Sequence, residues 1–249
     1  MDVPGHKEEF DRNGFTVLKG FFGADEVAAI SARLDRYVAE IAPGLPAHDA
    51  LYENKDNPET LFRFERMDYY DPFFKSLLLD ERLMRLGGLL LDDTLEPRGV
   101  ELFGKAPRIG KPTPPHQDGY YFMLDPMIAM TFWIAVDRAD RENGCIRYVP
   151  GSHRKGMRPH ALSNVLGFSQ GLVDFGEEDS RIEEEAMVAP GDVIAHHCMT
   201  IHRTDANPSD RQRRALGCVY FGKSAKVDRE GQQAYQKMLF EKWENEGKI

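Results

Sequence analysis

The sequence predicts a mainly β (α+β) protein, a double-stranded β-helix or jelly roll with an N-terminal helical layer and a C-terminal helix. Two observations carry this prediction. Apolar residues recur at helical spacing before Leu95, whereas short β-type runs separated by Gly, Pro, Asn and Asp follow it. One of these runs is apolar on both faces, as expected for a strand covered on both sides. Helices followed by many short strands indicate an antiparallel barrel with a helical layer.

The N-terminal part predicts helices around a single strand. Residues 8–20 predict a short helix followed by a strand at residues 15–18. Residues 24–41 predict an amphipathic helix, because apolar side chains recur every three or four positions. Residues 42–59 are rich in Pro, Asn and Asp and predict a loop, and residues 72–91 predict two short helices.

The remainder predicts strands and one closing helix. The strand-like runs cover residues 100–104, 128–136, 146–149, 186–188, 193–196 and 214–221, and the closing helix covers residues 232–245. No stretch between them is long enough to be a linker between two domains. All-β barrels of this length are commonly single domains, so we expect one domain over residues 1–249.

The composition narrows the class of partner. The chain has 249 residues, a net charge of −9 and a pI near 5.4, which argues against nucleic acid or an anionic membrane as the main partner. No stretch resembles a membrane span, and the N-terminus has no apolar signal region. Cys145, Cys198 and Cys218 have no metal-type spacing, so we expect reduced core cysteines and a cytoplasmic protein. The oligomeric state is left open.

The tripeptide His116-Gln117-Asp118 is the most informative motif. It follows a proline-rich segment at residues 111–115 that cannot be helical. On an extended strand, a histidine and an aspartate two positions apart project from the same side. Two imidazoles and one carboxylate on one face of a metal leave the opposite face open, as Fe(II) oxygenases require for a cosubstrate and O2. We therefore expect His116 and Asp118 to bind a metal.

Three downstream histidines compete for the third ligand position, namely His196, His197 and His202. Taken singly, each is more often a hydrogen-bonded core or surface residue than a ligand. The residues that follow favour His202, because a turn at residues 207–210 leads into a strand that begins with arginines.

Neighbouring Arg213 and Arg214 must point to opposite faces of that strand. Ala215 and Gly217 lie on the face of Arg213 and leave room for a ligand, whereas bulkier residues lie on the face of Arg214. A guanidinium pairs with a carboxylate through two parallel hydrogen bonds. Arg213 is therefore the candidate for binding a dicarboxylate, and Arg214 is expected to be a solvated surface charge.

The run at residues 128–136 has a bulky face and a smaller face. The bulky face carries Met130, Phe132, Ile134 and Val136, and the smaller face carries Ala129, Thr131, Trp133 and Ala135. Trp133 is interpreted either as a core residue or as one wall of a small-molecule pocket beside Thr131, and the sequence alone does not decide between these roles.

Several segments in fixed order resemble the phytanoyl-CoA dioxygenase family of Fe(II)/2-oxoglutarate oxygenases. The N-terminal entry at residues 10–15, the turn at residues 115–118 and the segment Asn-Gly-Cys-Ile-Arg-Tyr-Val-Pro-Gly-Ser-His at residues 143–153 carry the resemblance. Gly191-Asp192, His202 and Arg213-Arg214-Ala215 follow in the expected order, so the resemblance covers nearly the whole chain.

The resemblance implies a role for each site residue. His116, Asp118 and His202 would bind Fe(II), and Arg213 would bind the distal carboxylate of 2-oxoglutarate. The further cosubstrate contacts would come from Thr204, Gln117, Trp133 and Thr131. Arg203-Thr204 departs from the Gly-Ser that the family often has at this place, and a threonine hydroxyl can replace that of serine.

The resemblance also implies the reaction. The expected enzyme is a non-haem iron dioxygenase that uses O2 and 2-oxoglutarate, hydroxylates a C–H bond of a small molecule and releases succinate and CO2. Asp118 favours hydroxylation over halogenation, because related halogenases lack this carboxylate and bind chloride there. Desaturation and ring formation remain open.

The substrate is predicted only in outline. A basic loop with Arg154, Lys155, Arg158 and His160 would attract an anionic or carboxylate-bearing substrate, or it would merely offset the acidic surface. Residues 120–123 would form a wall of the pocket. His153 and Arg154 either line the pocket entrance or have a structural role.

Two other classes of function remain as alternatives. The first is a cupin-like metal-binding or sensor protein without 2-oxoglutarate turnover, and the second is a cupin-type enzyme that does not use 2-oxoglutarate. Neither requires an arginine after His202, so Arg213 discriminates between them and the oxygenase.

Overall fold

The computed structural model describes residues 2–54, 57, 60–165 and 167–247. Its helices lie mainly at the two ends of the chain. They are α1 (Val3–Asn13), α2 (Ala24–Arg36), α3 (Met67–Tyr70), α4 (Pro72–Leu78), α5 (Glu81–Leu91), α6 (Gly119–Phe122), α7 (Glu177–Ile182) and α8 (Arg229–Asn245). The last turns of the predicted helix over residues 24–41 are a π-helical segment, Tyr37–Ile41.

The strands form a large sheet, a smaller facing sheet and two separate pairs of strands. The large sheet has the order β1 (Phe15–Leu18), β12 (Val193–His197), β7 (Ala129–Ala135), β14 (Arg213–Gly222), β4 (Leu95–Lys105), β3 (Leu61–Phe64) and β2 (Ala50–Tyr52). The smaller sheet has the order β11 (Glu184–Ala186), β8 (Ile146–Tyr148), β13 (His202–Thr204) and β5 (Thr113–His116). The pairs are β9 (His160–Val165) with β10 (Phe168–Leu172), and β6 (Leu124–Asp125) with β15 (Lys226–Val227).

The two faces of the large sheet bury different partners, as the alternation in β7 predicts. Met130, Phe132 and Ile134 belong to the core between the sheet and the N-terminal helices. Trp133 and Ala135 belong to a second core shared with Ile146 and Tyr148 of the smaller sheet. The sheet therefore has a helical layer on one side and a facing sheet on the other.

Helix α5 shows how closely the helical layer approaches the sheet. Its buried residues Leu83, Leu86 and Leu90 recur at helical spacing on one face. Gly87 lies on the same face, and a Cβ placed there would come within 2.6 Å of Leu95 and 3.1 Å of Phe132. A larger residue would push the helix off the sheet.

The predicted loop over residues 42–59 is partly wrong. It contains a short 3-10 turn, Ala42–Gly44, and strand β2, which pairs with the unpredicted strand β3. Pairing at the edge of a sheet overrides weak local preference in this segment. Lys55, Asp56, Pro58 and Glu59 lie outside the described residues.

The prediction of strands without interleaved helices needs a small correction, since α6 and α7 interrupt the strand-rich part. Both are very short, and no 3.6-residue pattern of apolar residues marks them in the sequence. In the part of the chain that the structure describes, no helix has the length and apolar character needed to cross a bilayer.

Candidate metal centre

His116, Asp118 and His202 come together between the two sheets. One ligand atom from each lies within 4.8 Å of the others. The Nε2 atoms of His116 and His202 are 3.4 Å and 3.7 Å from Oδ1 of Asp118, and the two imidazole rings are 4.2 Å apart between centroids. The strands explain this closeness, because His116 at the end of β5 is the direct partner of His202 in β13.

Backbone carbonyls fix the tautomer of both imidazoles. Nδ1 of His116 lies 2.8 Å from the carbonyl oxygen of Pro114, and Nδ1 of His202 lies 3.0 Å from that of Thr200. A carbonyl only accepts, so each Nδ1 must donate and each Nε2 is left with a free lone pair. Both lone pairs are on the nitrogens nearest Asp118. This is the donor set that a divalent metal needs.

The electrostatics of the three groups suit a cation. Burial, followed by the charge of His116, lowers the pKa of His202 to about 3, so its imidazole is neutral. Burial alone would raise the pKa of Asp118, but His202, His116 and His196 hold it well below its ordinary value. An ionised carboxylate therefore lies beside unprotonated imidazole nitrogens.

The route by which Asp118 reaches the site differs from the prediction. The strand β5 ends at His116, and Asp118 has helical backbone angles at the start of α6. The two side chains therefore do not share one face of an extended strand. The chain instead turns after His116, and this turn directs the carboxylate back toward both imidazoles.

His196, which competed for the third ligand position, binds the carboxylate rather than completing the triad. Its Nε2 is 3.1 Å from Oδ2 of Asp118, and its Nδ1 is 2.9 Å from the hydroxyl of Tyr148. If the Tyr148 hydroxyl donates to Nδ1, Nε2 carries the proton and donates to Asp118. His197 lies outside this cluster, and its Nδ1 accepts from the backbone N–H of Met199.

Arg213 lies on the inner face of β14, as the alternation predicts. Its side chain is buried, and its guanidinium carbon is 5.3 Å from the centre of the Trp133 ring. Its Nε has no hydrogen-bond partner, and no carboxylate of the described residues forms an ion pair with it. A buried, unpaired guanidinium is costly, so it indicates a place for an anion.

A family model for phytanoyl-CoA dioxygenase (PhyH) matches residues 10–215, which include every candidate ligand and Arg213. The chain belongs to the phytanoyl-CoA dioxygenase family. Among curated relatives of this family, phytanoyl-CoA dioxygenase domain-containing protein 1 of Bos taurus is 25% identical over 257 residues, covering 85% of this chain and 87% of the relative.

Solved structures with the same fold include proteins that are not named as phytanoyl-CoA dioxygenases. The epimerase SnoN, in complex with Fe3+, alpha ketoglutarate and nogalamycin RO, matches with a TM-score of 0.74 and 21% identity over 90% of this chain and 85% of its own. EvdO2 of Micromonospora carbonacea, complexed with 2-oxoglutarate, matches with a TM-score of 0.71 and 26% identity over 90% of this chain and 92% of its own. The jelly-roll prediction is confirmed.

The other residues that were predicted to contact the cosubstrate are buried, and Gln117 and Thr204 form hydrogen bonds within the protein. Gln117 donates through Nε2 to the carbonyls of Gly156 and Met199, and its Oε1 accepts from the backbone of Arg158. Its amide therefore holds loops together beside the metal ligands. The hydroxyl oxygen of Thr204 accepts from the backbone N–H of Thr113 at 3.3 Å.

Thr131 and Trp133 lie on the face of β7 that looks toward the smaller sheet. Thr131 is the strand partner of His196, and Trp133 is the partner of Gly217. A Cβ on Gly217 would come within 2.6 Å of the Phe103 ring and 3.5 Å of Thr131. The small residue behind Arg213 is therefore required by the closeness of these side chains.

Arg158 is the residue of the basic loop whose charge is balanced by ion pairs among the described residues. Arg158 is paired with Asp174 and Asp179 at 3.0 Å and 2.8 Å. His160 accepts through Nε2 from the backbone of Gln117 and stacks on Tyr120 at 4.5 Å. His153 and Arg154 contact the carbonyl of Asp11, so they join the loop to the N-terminal helix.

Arg214 differs from the solvated surface charge that the sequence predicts. It lies on the outer face and forms ion pairs with Asp137 and Asp35 at 2.9 Å each. The acidic partners come from distant parts of the chain, so no local pattern in the sequence could have indicated them.

The aromatic wall beside the metal ligands was predicted only in part. Tyr121, within the predicted segment 120–123, packs against His116 with ring centroids 6.1 Å apart, and Phe168 of β10 packs against it at 5.8 Å. Arg63 of β3 lies over Phe168 and forms an ion pair with Glu101 at 2.8 Å. Phe168, Arg63 and Glu101 were missed because they come from three strands, β10, β3 and β4, that lie far from one another in the sequence.

Proposed function

We propose that this protein is an Fe(II)- and 2-oxoglutarate-dependent oxygenase acting on a small molecule, with residues 1–249 as one domain. The observation that carries the proposal is Arg213, a buried guanidinium that has no carboxylate partner among the described residues. It lies on the inner face of the barrel that also holds the His116, Asp118 and His202 cluster. A metal-binding or sensor protein needs no such cation. Family membership and the 2-oxoglutarate named for SnoN and EvdO2 support the same function.

The residues fit both cofactors. Nε2 of His116, Nε2 of His202 and the carboxylate of Asp118 would bind iron, and Arg213 would bind the distal carboxylate of 2-oxoglutarate beside Trp133. Bound iron and 2-oxoglutarate supply oxidation by O2 with release of succinate and CO2. The protein's part is to hold the ligands, exclude water and orient one C–H bond of the substrate.

Hydroxylation is our proposed reaction type. Asp118 is present and turned toward both imidazoles, so the place that chloride would take in a halogenase is occupied by a carboxylate. The fold also serves an epimerase, SnoN, so fold alone does not decide the reaction.

The substrate lies, in our proposal, against the wall of Tyr121, Phe168 and the Arg63–Glu101 ion pair. The predicted anionic or carboxylate-bearing substrate gains no support from Arg158, whose charge is balanced by Asp174 and Asp179. The cytoplasmic location remains a prediction.

The proposed function is tested by anaerobic titration of the Fe(II)-loaded protein with 2-oxoglutarate. A visible charge-transfer band is expected when a 2-oxo acid chelates a facial-triad iron centre with open positions. Exposure to O2 should then release succinate. Iron binding without the band would favour a metal-binding protein. A band without release of succinate would contradict the proposed oxygenase function.

A further inference from the structure

A second buried cation lies beside Arg213. Lys105 at the end of β4 and Arg213 at the start of β14 are direct partners across the strands, and each side chain is only 3% exposed. Neither forms an ion pair with a carboxylate among the described residues. Two neighbouring positive charges inside a protein repel each other and have both lost their hydration, which is unfavourable unless an anion joins them.

The structure holds Lys105 in place rather than leaving it to move away. The amide nitrogen of Asn207, a fully buried residue, donates to the Lys105 carbonyl at 3.0 Å. A Cβ on Gly144 would come within 2.5 Å of the Asp205 carbonyl oxygen and 3.1 Å of the Lys105 side chain, and a Cβ on Gly110 would come within 2.9 Å of Cβ of Lys105. The chain is therefore closely packed around Lys105, and the Asn207 hydrogen bond fixes the backbone from which the buried side chain extends.

The ammonium group has donors to spare. Within the described part of the chain its Nζ donates one hydrogen bond, to the carbonyl of Lys111, whereas an ammonium group carries three donors. Arg213 likewise has a buried Nε without an acceptor. Among the described residues, two neighbouring cations therefore have donors without acceptors, and the Arg213 guanidinium of this pair lies over the face of the Trp133 ring. A carboxylate can accept from both, because each of its oxygens has two lone pairs.

We propose that Lys105 is a binding residue for the distal carboxylate of 2-oxoglutarate, acting together with Arg213. The inference rests on the proposed function and adds a residue to it. It explains why a lysine is buried at a position where an apolar side chain would cost less to fold. A single guanidinium already provides a fork for a carboxylate, and Lys105 adds a second charge that also favours the dicarboxylate over a monocarboxylate.

The charges around Lys105 link this binding to protons. Burial and then the charge of Arg213 lower the pKa of Lys105 to about 7, while Glu53 and Asp205 act weakly in the opposite direction. Lys111, the other cation nearby, is paired with Glu53 at 2.7 Å. A bound carboxylate would raise the pKa of Lys105 again. The ligand-free protein is partly deprotonated there above pH 7, so binding should take up a proton.

The test compares two ligands by anaerobic calorimetry on the Fe(II)-loaded protein. 2-Oxoglutarate and 2-oxobutyrate carry the same 2-oxo acid group, but 2-oxobutyrate lacks the distal carboxylate. Lys105→Met should weaken 2-oxoglutarate binding by about tenfold to a hundredfold and leave 2-oxobutyrate binding unchanged. Lys111→Met, at an exposed neighbouring lysine, should change neither ligand.

Proton uptake provides a second measurement. Titrations at pH 8 in two buffers of different ionisation enthalpy should show uptake with 2-oxoglutarate, and Lys105→Met should abolish it. Undiminished 2-oxoglutarate affinity in Lys105→Met would overturn the inference while leaving the proposed function intact. If wild-type protein fails to bind 2-oxoglutarate although it binds iron, the proposed function itself fails. Retained 2-oxobutyrate binding shows that Lys105→Met is folded.

Discussion

At the scale of single residues, hydrogen bonds to backbone carbonyls prepare the metal ligands. The carbonyls of Pro114 and Thr200 accept from Nδ1 of His116 and of His202, which leaves Nε2 of each imidazole as the nitrogen that can bind a metal. The orientation of each imidazole is thus fixed by a backbone carbonyl, which does not titrate. Binding of a divalent cation should require little rearrangement of these side chains.

Alanine substitutions of the candidate ligands test their assignment. His116→Ala and His202→Ala should each abolish stoichiometric Fe(II) binding, and Asp118→Ala should weaken it, because a facial site with one ligand missing binds weakly. All three variants should lose succinate release. The fold should survive, since the β core does not depend on metal. His197→Ala is the control and should retain iron. If His197→Ala loses iron and His202→Ala keeps it, the third ligand has been misassigned.

A second residue-scale prediction concerns His196 and Tyr148, which position the carboxylate of Asp118. His196→Ala should lower metal affinity by about tenfold to a hundredfold, the usual cost of losing a hydrogen-bond partner of a ligand. Tyr148→Phe should have a smaller effect in the same direction, because His196 remains but loses the partner that fixes its tautomer. Metal affinity measured by competition with a chelator checks both.

Either variant with unchanged metal affinity would show that the Tyr148–His196–Asp118 chain is only structural. Thermal unfolding of the metal-free variants is the matched control, since a purely structural role would lower the unfolding temperature without affecting metal affinity.

The sequence indicated candidate ligands but not the residues that support them. The His-x-Asp spacing, the arginine after the downstream histidine and the family resemblance named His116, Asp118, His202 and Arg213 as candidates, and the structure brings the first three together. Lys105, Tyr148 and His196 act through contacts that arise only when strands pair in a particular register. From the sequence alone, a lysine in a strand is predicted to lie at the surface, and only the pairing of the strands shows that it is buried.

At the scale of elements, the register of β14 separates two adjacent arginines. Arg213→Ala should raise the 2-oxoglutarate concentration needed for half-maximal turnover by roughly one to two orders of magnitude, because a charge-assisted fork is lost. Arg213→Lys should restore only part of it. Steady-state kinetics against 2-oxoglutarate is the measurement.

Arg214→Ala is the internal control for this strand. Its guanidinium pairs with Asp137 and Asp35 on the outer face, so its loss should lower the free energy of unfolding by about 1.5–3 kcal/mol without changing the cosubstrate requirement. A larger cosubstrate defect in Arg214→Ala than in Arg213→Ala would mean that the strand register is wrong.

Asp71 joins two helices and should show its importance at low pH. Its buried carboxylate accepts from the backbone of Phe73 at the start of α4 and from Arg33 and Arg36 of α2. Burial alone would raise its pKa, but these partners lower it below 3.8. Its contribution is therefore present above pH 4 and lost as the pH falls through the lowered pKa.

Asp71→Ala should destabilise the protein by about 2–3 kcal/mol at pH 7 in denaturant unfolding, through loss of a helix cap and of charged hydrogen bonds. Asp71→Asn keeps an acceptor for the cap and should cost less. Equal losses in the two variants would show that the charge contributes nothing.

The helices and strands were predicted correctly where apolar residues recurred at one regular spacing over the whole element. The predicted bounds agree closely with the observed ones for helices α2, α4 and α5 and for strands β7, β12 and β14. Strands β2, β3, β9 and β10 were missed, because edge and hairpin strands are short, carry mixed side chains and depend on their partners.

At the scale of the whole molecule, function and stability should conflict at Lys105. Lys105→Met replaces a buried cation, which forms no ion pair with a carboxylate of the described residues, by an apolar side chain of similar length. The ligand-free protein should become more stable by about 1–3 kcal/mol at pH 7, as found when buried charges are replaced by packed apolar groups. Denaturant unfolding without 2-oxoglutarate measures this change.

The pH dependence of that gain follows from the pKa of Lys105, which falls from 10.5 to about 7 on folding. Between these values the unfolded chain binds more protons at this residue, so the stability of the wild-type protein rises with pH across this interval. The advantage of Lys105→Met should therefore be largest below pH 7 and shrink toward pH 10. A pH-independent difference would contradict the assignment.

The layered architecture of the whole molecule could be predicted, because it follows from the two-sided burial of β7. The sequence also marked Gly217 as a small residue on the face of Arg213, but it did not show which side chains require a glycine there. Phe103 and Thr131 lie against Gly217, and these contacts appear only when the strands pair.

The three cysteines have a practical consequence for anyone attaching a probe. Cys145, Cys198 and Cys218 are all buried and unbridged, and burial raises the pKa of each thiol. Thiolates react with maleimides and spin-label reagents, so the folded wild-type chain should be almost silent toward them. One cysteine introduced on the exposed face of α8 would then carry a single fluorophore or nitroxide while all three native cysteines are kept.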